Sequence, residues 1–302
     1  MSLHGLKKDF AAGRLAKPAY IDAMNERHRL LHDYASFLDG TDVSKIEIED
    51  SEVVMTMRRT GLRFVVRQDD KRTAPLEILN FGALEKAEAD MTFRLLREGD
   101  TVFDVGANIG WYSLTLDRLF KRLKVHAFEP IPHTFARLKR HVLMNGDRRV
   151  KLHDFGLSDR QGRATFWFRP DFSVNASSAD LGTGGKKVTC RLTTMDRFAK
   201  KARVDFIKCD VEGAELLVFK GGLKTLERDR PVIFTEMLRK WAAPFGYHPN
   251  DIIDLLALFG YRPFTARGGR LKPFGRMDEK TVETNFFFLH PARHADRLRR
   301  CR

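Results

Sequence analysis

The residues that could do chemistry begin at a glycine-containing loop. The run "FDVGANIGWYSL" (residues 103–114) is an apolar stretch that reaches Asp104, passes Gly106 and Gly110, and continues with helical periodicity. Glycines directly after a buried strand let the backbone approach a ligand closely. The dinucleotide motif G-x-G-x-x-G is absent here. Because a carboxylate before the first glycine repels phosphates, Asp104 favours a ligand that carries an ammonium group. A tight turn that needs glycine for its backbone alone is the alternative.

Glu129 is the second residue placed to bind a ligand. It ends the next strand-like run, 25 positions after Asp104. An acid about 20 residues beyond a glycine loop can accept both hydroxyls of a ribose. S-adenosylmethionine has a ribose, an ammonium and a sulfonium but no phosphate, so it suits both acids better than a nicotinamide dinucleotide does. Alternatively, Glu129 caps a helix that starts at Pro130 or Pro132.

Carboxylates also follow two later strands. Asp210 and Glu212 lie in "KCDVEGAE" after one apolar run, and Glu236 ends the next run. Any of them could be a general base, a role often worth ~10²–10⁴-fold in rate. Together they could instead hold a divalent cation, which would lower the pKa of a bound hydroxyl. The sequence leaves metal use open, and it favours a structural role for Glu215 in the same motif.

Alternating strands and helices position these residues. From Thr101 onwards, apolar runs bounded by turn residues alternate with helical patterns, which predicts a parallel sheet covered on both faces. Ligands bind beyond the carboxyl ends of such strands, where every residue named above lies. Two added strands, "GRATFWFRP" and "KKVTCRL", flank a polar insert. Residues 1–80 are predicted to form an accessory layer, with a helix over 17–38 and a β-hairpin or meander, and residues 81–302 the ligand-binding domain.

The composition is that of a globular protein with a basic surface. Of 302 residues, 43% are hydrophobic and 31% charged, and the formal net charge is +14. This charge suits a nucleic acid, an anionic membrane surface or an acidic substrate, or is merely a solvated surface. Three widely spaced cysteines predict neither a disulfide framework nor a zinc site. No run approaches the ~18 apolar residues of a membrane span, and the N-terminus lacks an apolar signal region, so we expect a cytoplasmic protein.

Segments in a fixed order resemble the FkbM-type methyltransferases, a branch of the class I methyltransferases that use S-adenosylmethionine. They are FDVGANIGWYSL, AFEPIPHTFARLKRHVLMN, GLSDRQGRATF, FIKCDVEGAELLVFKGG and RPVIFTEM. The resemblance covers residues from about 83 to 236. It implies an α/β Rossmann-like fold with a seven-stranded, mostly parallel sheet whose last strand is antiparallel, and it implies O-methyl transfer.

The resemblance also assigns cofactor contacts by position. It places Glu129 at the ribose and the segment from Asp154 through Gly156 at the adenine, with Asp154 as the candidate for the adenine amino group. Glu85 matches a family position before the first strand and could close over the cofactor. Asp210 is assigned to both the cofactor and the chemistry. The methionine part would lie against the first loop, at Asp104, Gly106, Ala107, Asn108 and Gly110.

The acceptor is predicted to be a hydroxyl of a sugar, a glycan or glycolipid, or a secondary metabolite. It would meet the insert DFSVNASSADLGTGG and the segment MLRKWAAPFGYHPN, which mix aromatic, amide and cationic side chains. Candidate contacts are Ser177, Ser178, Arg239 and His248, and the cations would suit an acidic or lipid-linked acceptor. An RNA methyltransferase, which the net charge would suit, and a non-catalytic cofactor-binding module are the alternatives. The sequence is also compatible with a homo-oligomer.

Overall fold

The structure, a computed structural model, describes residues 1–147, 149–169, 172–177, 186–200 and 202–301. Its N-terminal part contains α1 (Leu3–Ala11), α2 (Lys17–Phe37), β1 (Val43–Glu49), β2 (Glu52–Met57), β3 (Arg63–Val66) and α3 (Ala74–Phe81). The middle contains α4 (Lys86–Leu95), β4 (Thr101–Val105), α5 (Trp111–Leu119), β5 (Lys124–Phe128), α6 (Pro132–Met144), β6 (Lys151–His153), β7 (Gly156–Leu157), β8 (Gly162–Arg169), β9 (Phe172–Ser177) and β10 (Lys186–Thr193). The C-terminal part contains α7 (Met195–Phe198), β11 (Phe206–Cys209), α8 (Glu215–Lys220), α9 (Leu223–Asp229), β12 (Val232–Glu236), α10 (Arg239–Ala242), α11 (Asn250–Ala257), β13 (Arg262–Arg267), β14 (Arg270–Pro273), β15 (Asn285–Leu289) and α12 (Ala295–Cys301).

The central feature is an eight-stranded sheet in the order β14-β13-β15-β12-β11-β4-β5-β6. Strands β12, β11, β4, β5 and β6 pair in parallel, and β15 is antiparallel to β12 and β13. The predicted α/β Rossmann-like class and the antiparallel strand are confirmed. The predicted count of seven strands is wrong by one. Gly268 and Gly269, at φ +59° and +70°, form a two-residue turn that adds β14 to the edge.

The sheet is buried on both faces because alternate residues of its strands enter different apolar clusters. In β4, Val102 packs into one cluster, while Phe103 and Val105 pack into the other. Residues of α5 and α6 belong to the first cluster, and residues of α8, α9 and α11 to the second. This two-sided burial accounts for the nearly continuous apolar runs of the parallel strands.

The N-terminal segment forms the predicted antiparallel meander, β1-β2-β3, and packs on α6. Phe64 joins the same apolar cluster as Leu138 of α6. The Asn145 side chain accepts the Arg63 N–H and donates to the Arg63 carbonyl, both at 2.8 Å. The helix predicted over 17–38 is confirmed as α2. The boundary predicted between accessory layer and main domain stays a prediction, since the meander shares a core with the segments that follow it.

A smaller sheet, in the order β7-β10-β8-β9, follows β6. β8 and β10 are the two added strands predicted from the sequence, and they pair antiparallel. Ser177 ends β9, but its side chain lies outside the described residues, as does all of Ser178. Acceptor contacts by these serines therefore stay predictions.

Membrane spans and cysteine pairing can be checked over the described ranges. None of the helices there combines the length and apolarity that crossing a bilayer requires. The three cysteines, Cys190, Cys209 and Cys301, are buried free thiols, which agrees with the prediction that they form no disulfide framework.

Candidate active site

A cavity of about 550 Å³ lies at the carboxyl ends of β4, β5, β11 and β12. Residues 106–108 after β4 and Glu129 after β5 line it, together with Asp210 and Glu212 after β11 and Glu236 at the end of β12. This is where open α/β sheets bind ligands. The structure therefore brings Glu129 and residues 106–108, four of the predicted cofactor contacts, next to the residues predicted to do the chemistry.

Gly106 is required by the approach of two loops. Its φ is +80°, and a Cβ added there would lie 1.8 Å from the carbonyl oxygen of Asp210. The N–H groups of Gly106 and Ala107 both donate to the Phe128 carbonyl at 3.0 Å. We call the loop between β4 and α5 (residues 106–110) the cofactor loop, after its predicted ligand. Glycine at position 106 thus lets this loop pack against the backbone that carries Asp210.

Two other glycines predicted at the cofactor have packing roles. A Cβ on Gly110, whose φ is +92°, would lie 2.4 Å from the Leu138 side chain. A Cβ on Gly156 would lie 2.8 Å from the Leu192 side chain. Neither glycine belongs to the lining of the cavity in the described part of the chain. Their assignment as cofactor contacts stays a prediction.

The Glu129 carboxylate is held at the cavity by two backbone hydrogen bonds. Asn108 N–H donates to Oε2 at 3.0 Å, and Ile131 N–H donates to Oε1 at 2.9 Å. The second bond caps the start of α6, as the alternative interpretation expects. Burial raises the pKa of Glu129 to about 7, against the lowering effect of these bonds and of Lys208. Each oxygen keeps a lone pair for a ligand hydroxyl.

Asp104 lies beneath the cofactor loop. It is 1% exposed, its Oδ2 accepts the Ser113 hydroxyl at 2.6 Å, and its Oδ1 lies 3.8 Å from Lys208 Nζ. Burial raises the pKa of Asp104, while Lys208 and Ser113 oppose the rise. Asp104 is not part of the cavity lining in the described structure, and its predicted contact with the methionine part stays a prediction.

Lys208 is a site residue that the sequence alone did not single out. It lies within β11, is 6% exposed, and lines the cavity. Its Nζ donates to Asp210 Oδ2 at 3.1 Å and to the Gly106 carbonyl at 3.3 Å. Burial lowers the pKa of Lys208, but the carboxylates of Asp210 and Asp104 outweigh it, so the net pKa is raised. A lysine inside a short apolar run, "FIKC", is the signal that could have found it.

Carboxylate oxygens of Asp210, Glu212 and Glu236 lie within 4.8 Å of one another. Burial, with Asp210 and other acids adding to it, raises the pKa of Glu236 to about 9. Burial and then Asp210 raise the pKa of Glu212 well above its usual value. Oxygen ligands at this spacing suit a hard divalent cation, and the same proximity lets the three groups share protons.

Three of the six described non-glycine residues with positive φ lie at the cavity. Glu85, Asn108 and Glu212 have φ values of 40°, 50° and 54°, the left-handed region that non-glycine residues avoid. All three line the cavity. Such strain costs of order 1–3 kcal/mol per residue and clusters at functional sites. The strained residues therefore lie in the same cavity as the residues of the sequence motifs.

Sequence comparison assigns the family. Residues 104–263, just over half of the chain, match the methyltransferase FkbM domain. The chain belongs to the FkbM methyltransferase family. It is therefore a methyltransferase, and the family resemblance predicted from the sequence is confirmed.

Several known proteins with similar sequences are named methyltransferases. Methyltransferase sdnD of Sordaria araneosa is 28% identical over 187 residues, which span 47% of this chain and 72% of that protein. Hexuronic acid methyltransferase AglP of Haloferax volcanii is 30% identical over 182 residues, which span 57% and 69% respectively. Among solved structures, methyltransferase FkbM from Methylobacillus flagellatus KT shares 18% identity and a TM-score of 0.43, over 67% of this chain and 47% of that one.

In this FkbM-family chain, Glu85 is held at the cavity from two distant segments. The Tyr112 hydroxyl donates to its Oε2 at 2.9 Å, and the Asn285 amide donates to its Oε1 at 3.1 Å. Burial and then Asp210 raise the pKa of Glu85. The predicted location of Glu85 at the cofactor cavity agrees with this geometry, and Tyr112 and Asn285 are the residues that orient it.

The remaining residues of "DVEGAE" shape the loop after β11. Glu215 Oε1 accepts the N–H groups of Val211 and Gly213 at 2.9 and 3.2 Å, which confirms the structural role expected of it. Gly213 has φ +100°, and a Cβ there would lie 2.1 Å from the Trp241 carbonyl oxygen. This close approach brings the segment carrying Trp241 against the loop that carries Glu212.

Three predicted contacts lie away from the cavity in the described structure. Asp154 forms an exposed ion pair with Arg191 at 2.6 Å, Arg239 donates to the Asp278 carbonyl, and His248 Nδ1 accepts a backbone N–H at the start of α11. None of the three belongs to the cavity lining. Their assignments to the adenine and the acceptor stay predictions.

Further side chains line the cavity. Lys240, the neighbour of Arg239, lines the cavity together with Trp241, and its Nζ lies 4.8 Å from the centre of the Trp241 ring. Pro130 and Ile131 beside Glu129, with Phe166 of β8, add apolar lining. Lys240 and Trp241 lie in the segment MLRKWAAPFGYHPN, which the sequence predicts to meet the acceptor.

Proposed function

We propose that this methyltransferase transfers a methyl group from S-adenosylmethionine to a hydroxyl of a sugar, a glycan or glycolipid, or a secondary metabolite. One observation carries the proposal. Residues suited to the cofactor and a cluster of carboxylates suited to proton transfer line the same cavity. Positioning the acceptor in such a cavity can contribute up to roughly 7–11 kcal/mol to lowering the barrier.

The donor set of the cavity fits S-adenosylmethionine. Glu129, oriented by its two backbone hydrogen bonds, would accept the ribose hydroxyls. Among the described residues, six carboxyl groups and three cationic side chains line the cavity, and the carboxyl oxygens offer acceptors for the ammonium and the ribose hydroxyls of the cofactor. Pro130, Ile131 and Phe166 would pack against the adenine. When bound, the cofactor supplies a methyl group already activated by its sulfonium.

The carboxylate cluster would take up the proton that the acceptor hydroxyl loses. Asp210, Glu212 and Glu236 are close enough to share that proton, and Lys208 holds Asp210 in place. General base catalysis of this kind often contributes ~10²–10⁴-fold. We therefore expect Asp210→Asn and Glu236→Gln to lose methyl transfer while keeping cofactor affinity in calorimetry. Full activity in both variants would remove the cluster from the mechanism.

A divalent cation is a second way in which the same cluster could work. Its three carboxylates would hold the ion, which would supply charge that keeps them ionised and lowers the pKa of a bound hydroxyl. Treatment with a chelator, followed by addition of Mg²⁺ or Mn²⁺, tests this. Loss and recovery of turnover support the metal, whereas unchanged turnover assigns proton uptake to the carboxyls alone.

Sugar acceptors are favoured by the lining around Trp241. An aromatic ring suits the apolar face of a sugar, and Lys240 suits an acidic group. The relative AglP is named for a hexuronic acid, an acceptor of this kind. Transfer of labelled methyl groups to lysate fractions tests the proposal: label in glycan, glycolipid or small-molecule fractions supports it. Label in RNA would favour an RNA methyltransferase. Cofactor binding without methyl transfer would favour a non-catalytic binding module.

A further inference from the structure

A groove of about 760 Å³ lies beside the cavity, between α2 and the end of α3. Leu30, Tyr34 and Phe37 form the α2 wall, and Leu79 and Phe81 form the α3 wall. We call this surface the α2–α3 groove. The proposed chemistry uses none of its α2 residues.

The groove lies in an unusually apolar part of the surface. Leu30, Phe37 and Phe81 are 57%, 50% and 75% exposed, and no residue of α2 is buried. Eight of the fourteen large hydrophobic side chains exposed among the described residues lie in the first 37 residues of the chain. Exposed apolar side chains that gather along one groove are typical of a binding site.

Phe81 joins the groove to the reaction cavity, because it lines both. More of the groove surface is apolar than polar, whereas the cavity contains the carboxyl groups of Glu129, Asp210 and Glu236. The polar residues of the groove are Asp33, Ser36, Asp39, Thr41 and Asn80. A molecule that occupies both must therefore have a polar, hydrogen-bonding head and a hydrocarbon chain.

We propose that the α2–α3 groove binds the aliphatic chain of a lipid-linked sugar, whose head group enters the cavity as the methyl acceptor. This inference rests on the proposed function, since it takes the cavity to be the acceptor site. A second copy of the chain is the competing occupant. It would also cover Ile21 and Leu31, which are 53% and 61% exposed on α2 but lie outside the groove.

Alkyl maltosides, which join a sugar to a chain, are the probe. Calorimetry on the full chain, below the micelle-forming concentration, should detect dodecyl maltoside and much weaker binding of maltose. Each buried methylene contributes about 0.8 kcal/mol, so decyl maltoside should bind about 15-fold more weakly than dodecyl maltoside. Affinity that does not depend on chain length would overturn the proposal.

Substitutions in the groove have matched controls elsewhere on the surface. Leu30→Ser and Phe37→Ser should each weaken dodecyl maltoside binding about tenfold, because each removes apolar surface that the alkyl chain would cover. Leu143→Ser and Leu258→Ser change side chains that are 71% and 81% exposed outside the groove, and should bind as the wild type does. Equally weakened binding in all four variants would mean non-specific adsorption and would refute the groove. All four sites are exposed, so the variants should fold, which thermal unfolding checks.

Two further measurements separate the possible failures. Sedimentation that shows a dimer dissociated by Leu30→Ser or Phe37→Ser, with no alkyl maltoside bound, would assign the groove to a second copy and refute a lipid site. Calorimetry with S-adenosylmethionine on the same samples tests the proposed function by itself. Cofactor binding without chain-dependent maltoside binding refutes this inference alone, whereas absent cofactor binding refutes the proposed function.

Discussion

Lys208 and Asp104 are register partners in adjacent parallel strands, and Lys208 Nζ lies 3.8 Å from Asp104 Oδ1. The same ammonium donates to Asp210 at 3.1 Å. One buried cation thus connects Asp104, under the cofactor loop, with Asp210, a member of the carboxylate cluster. The stability of the site and its charge therefore depend on the same side chain.

Lys208→Met should destabilise the fold strongly. It leaves Asp104 buried without its cation, and breaking a buried pair in this way costs about 3–5 kcal/mol. Arg191→Met is the control, since it breaks the exposed pair with Asp154, and such pairs contribute about 0–1 kcal/mol. Urea unfolding measures both. Adding Asp104→Asn to Lys208→Met should recover part of the stability; equal costs for the two single variants would contradict the assignment.

Gly106→Ala should disrupt the site far more than an alanine at another left-handed glycine. The new Cβ would collide with the Asp210 carbonyl, so either the cofactor loop or the loop after β11 must move. Gly99→Ala is matched, with φ +90° and nothing within 4 Å of the added atom. It should cost only the backbone strain, roughly 1–2 kcal/mol. Unfolding and cofactor calorimetry compare the two, and retained cofactor affinity in Gly106→Ala would refute the tight contact.

Cofactor affinity should rise with pH through about 7. The ionised Glu129 carboxylate accepts ribose hydroxyls better than the protonated acid, and burial raises the pKa of Glu129 to about 7. Below that pH the affinity should fall by up to about tenfold per unit. Glu129→Gln should bind weakly and without this dependence, whereas Glu77→Gln, in a cavity carboxylate paired with Arg72, should keep it. Calorimetry between pH 6 and 8 is the measurement.

Acid should loosen the contact between the meander and the cofactor loop at His141. Its Nε2 accepts the Val65 N–H at 3.1 Å, and its Nδ1 lies 3.0 Å from the Ile109 carbonyl, an arrangement that needs a neutral ring. Burial lowers the pKa of His141 to about 4. The unfolded chain therefore binds the proton first, and stability is lost as pH falls from about 6.5 to 4, by up to about 3 kcal/mol.

Urea unfolding at pH 7 and pH 5 tests this contribution. His141→Gln should be less stable at pH 7 but show a smaller difference between the two pH values than the wild type. His32→Gln, on the exposed face of α2, is the control and should keep the wild-type difference. The same difference in His141→Gln and in the wild type would exclude His141 as the acid-sensitive contact.

The sequence by itself determined the elements and the edge of the sheet at which the site forms. Apolar runs, helical spacing and turn glycines are local properties, so the strands of the parallel sheet and the loops after Val105 and Cys209 could be predicted without knowing their neighbours. Because parallel strands present their carboxyl ends together, Glu129, Asp210 and Glu236 were predicted near one another, and the structure places them in one cavity.

Only the tertiary structure decided which side chains face that cavity. Strand register put Lys208 beside Asp104, and the fold brought Asn285 to Glu85 across 200 residues. Asp154 and Arg239 have the right chemistry, but in the structure each contacts another residue and neither belongs to the cavity lining. A side chain points where its closest hydrogen-bonding and packing partners allow, and those partners come from distant segments, so residue type and spacing cannot specify its direction.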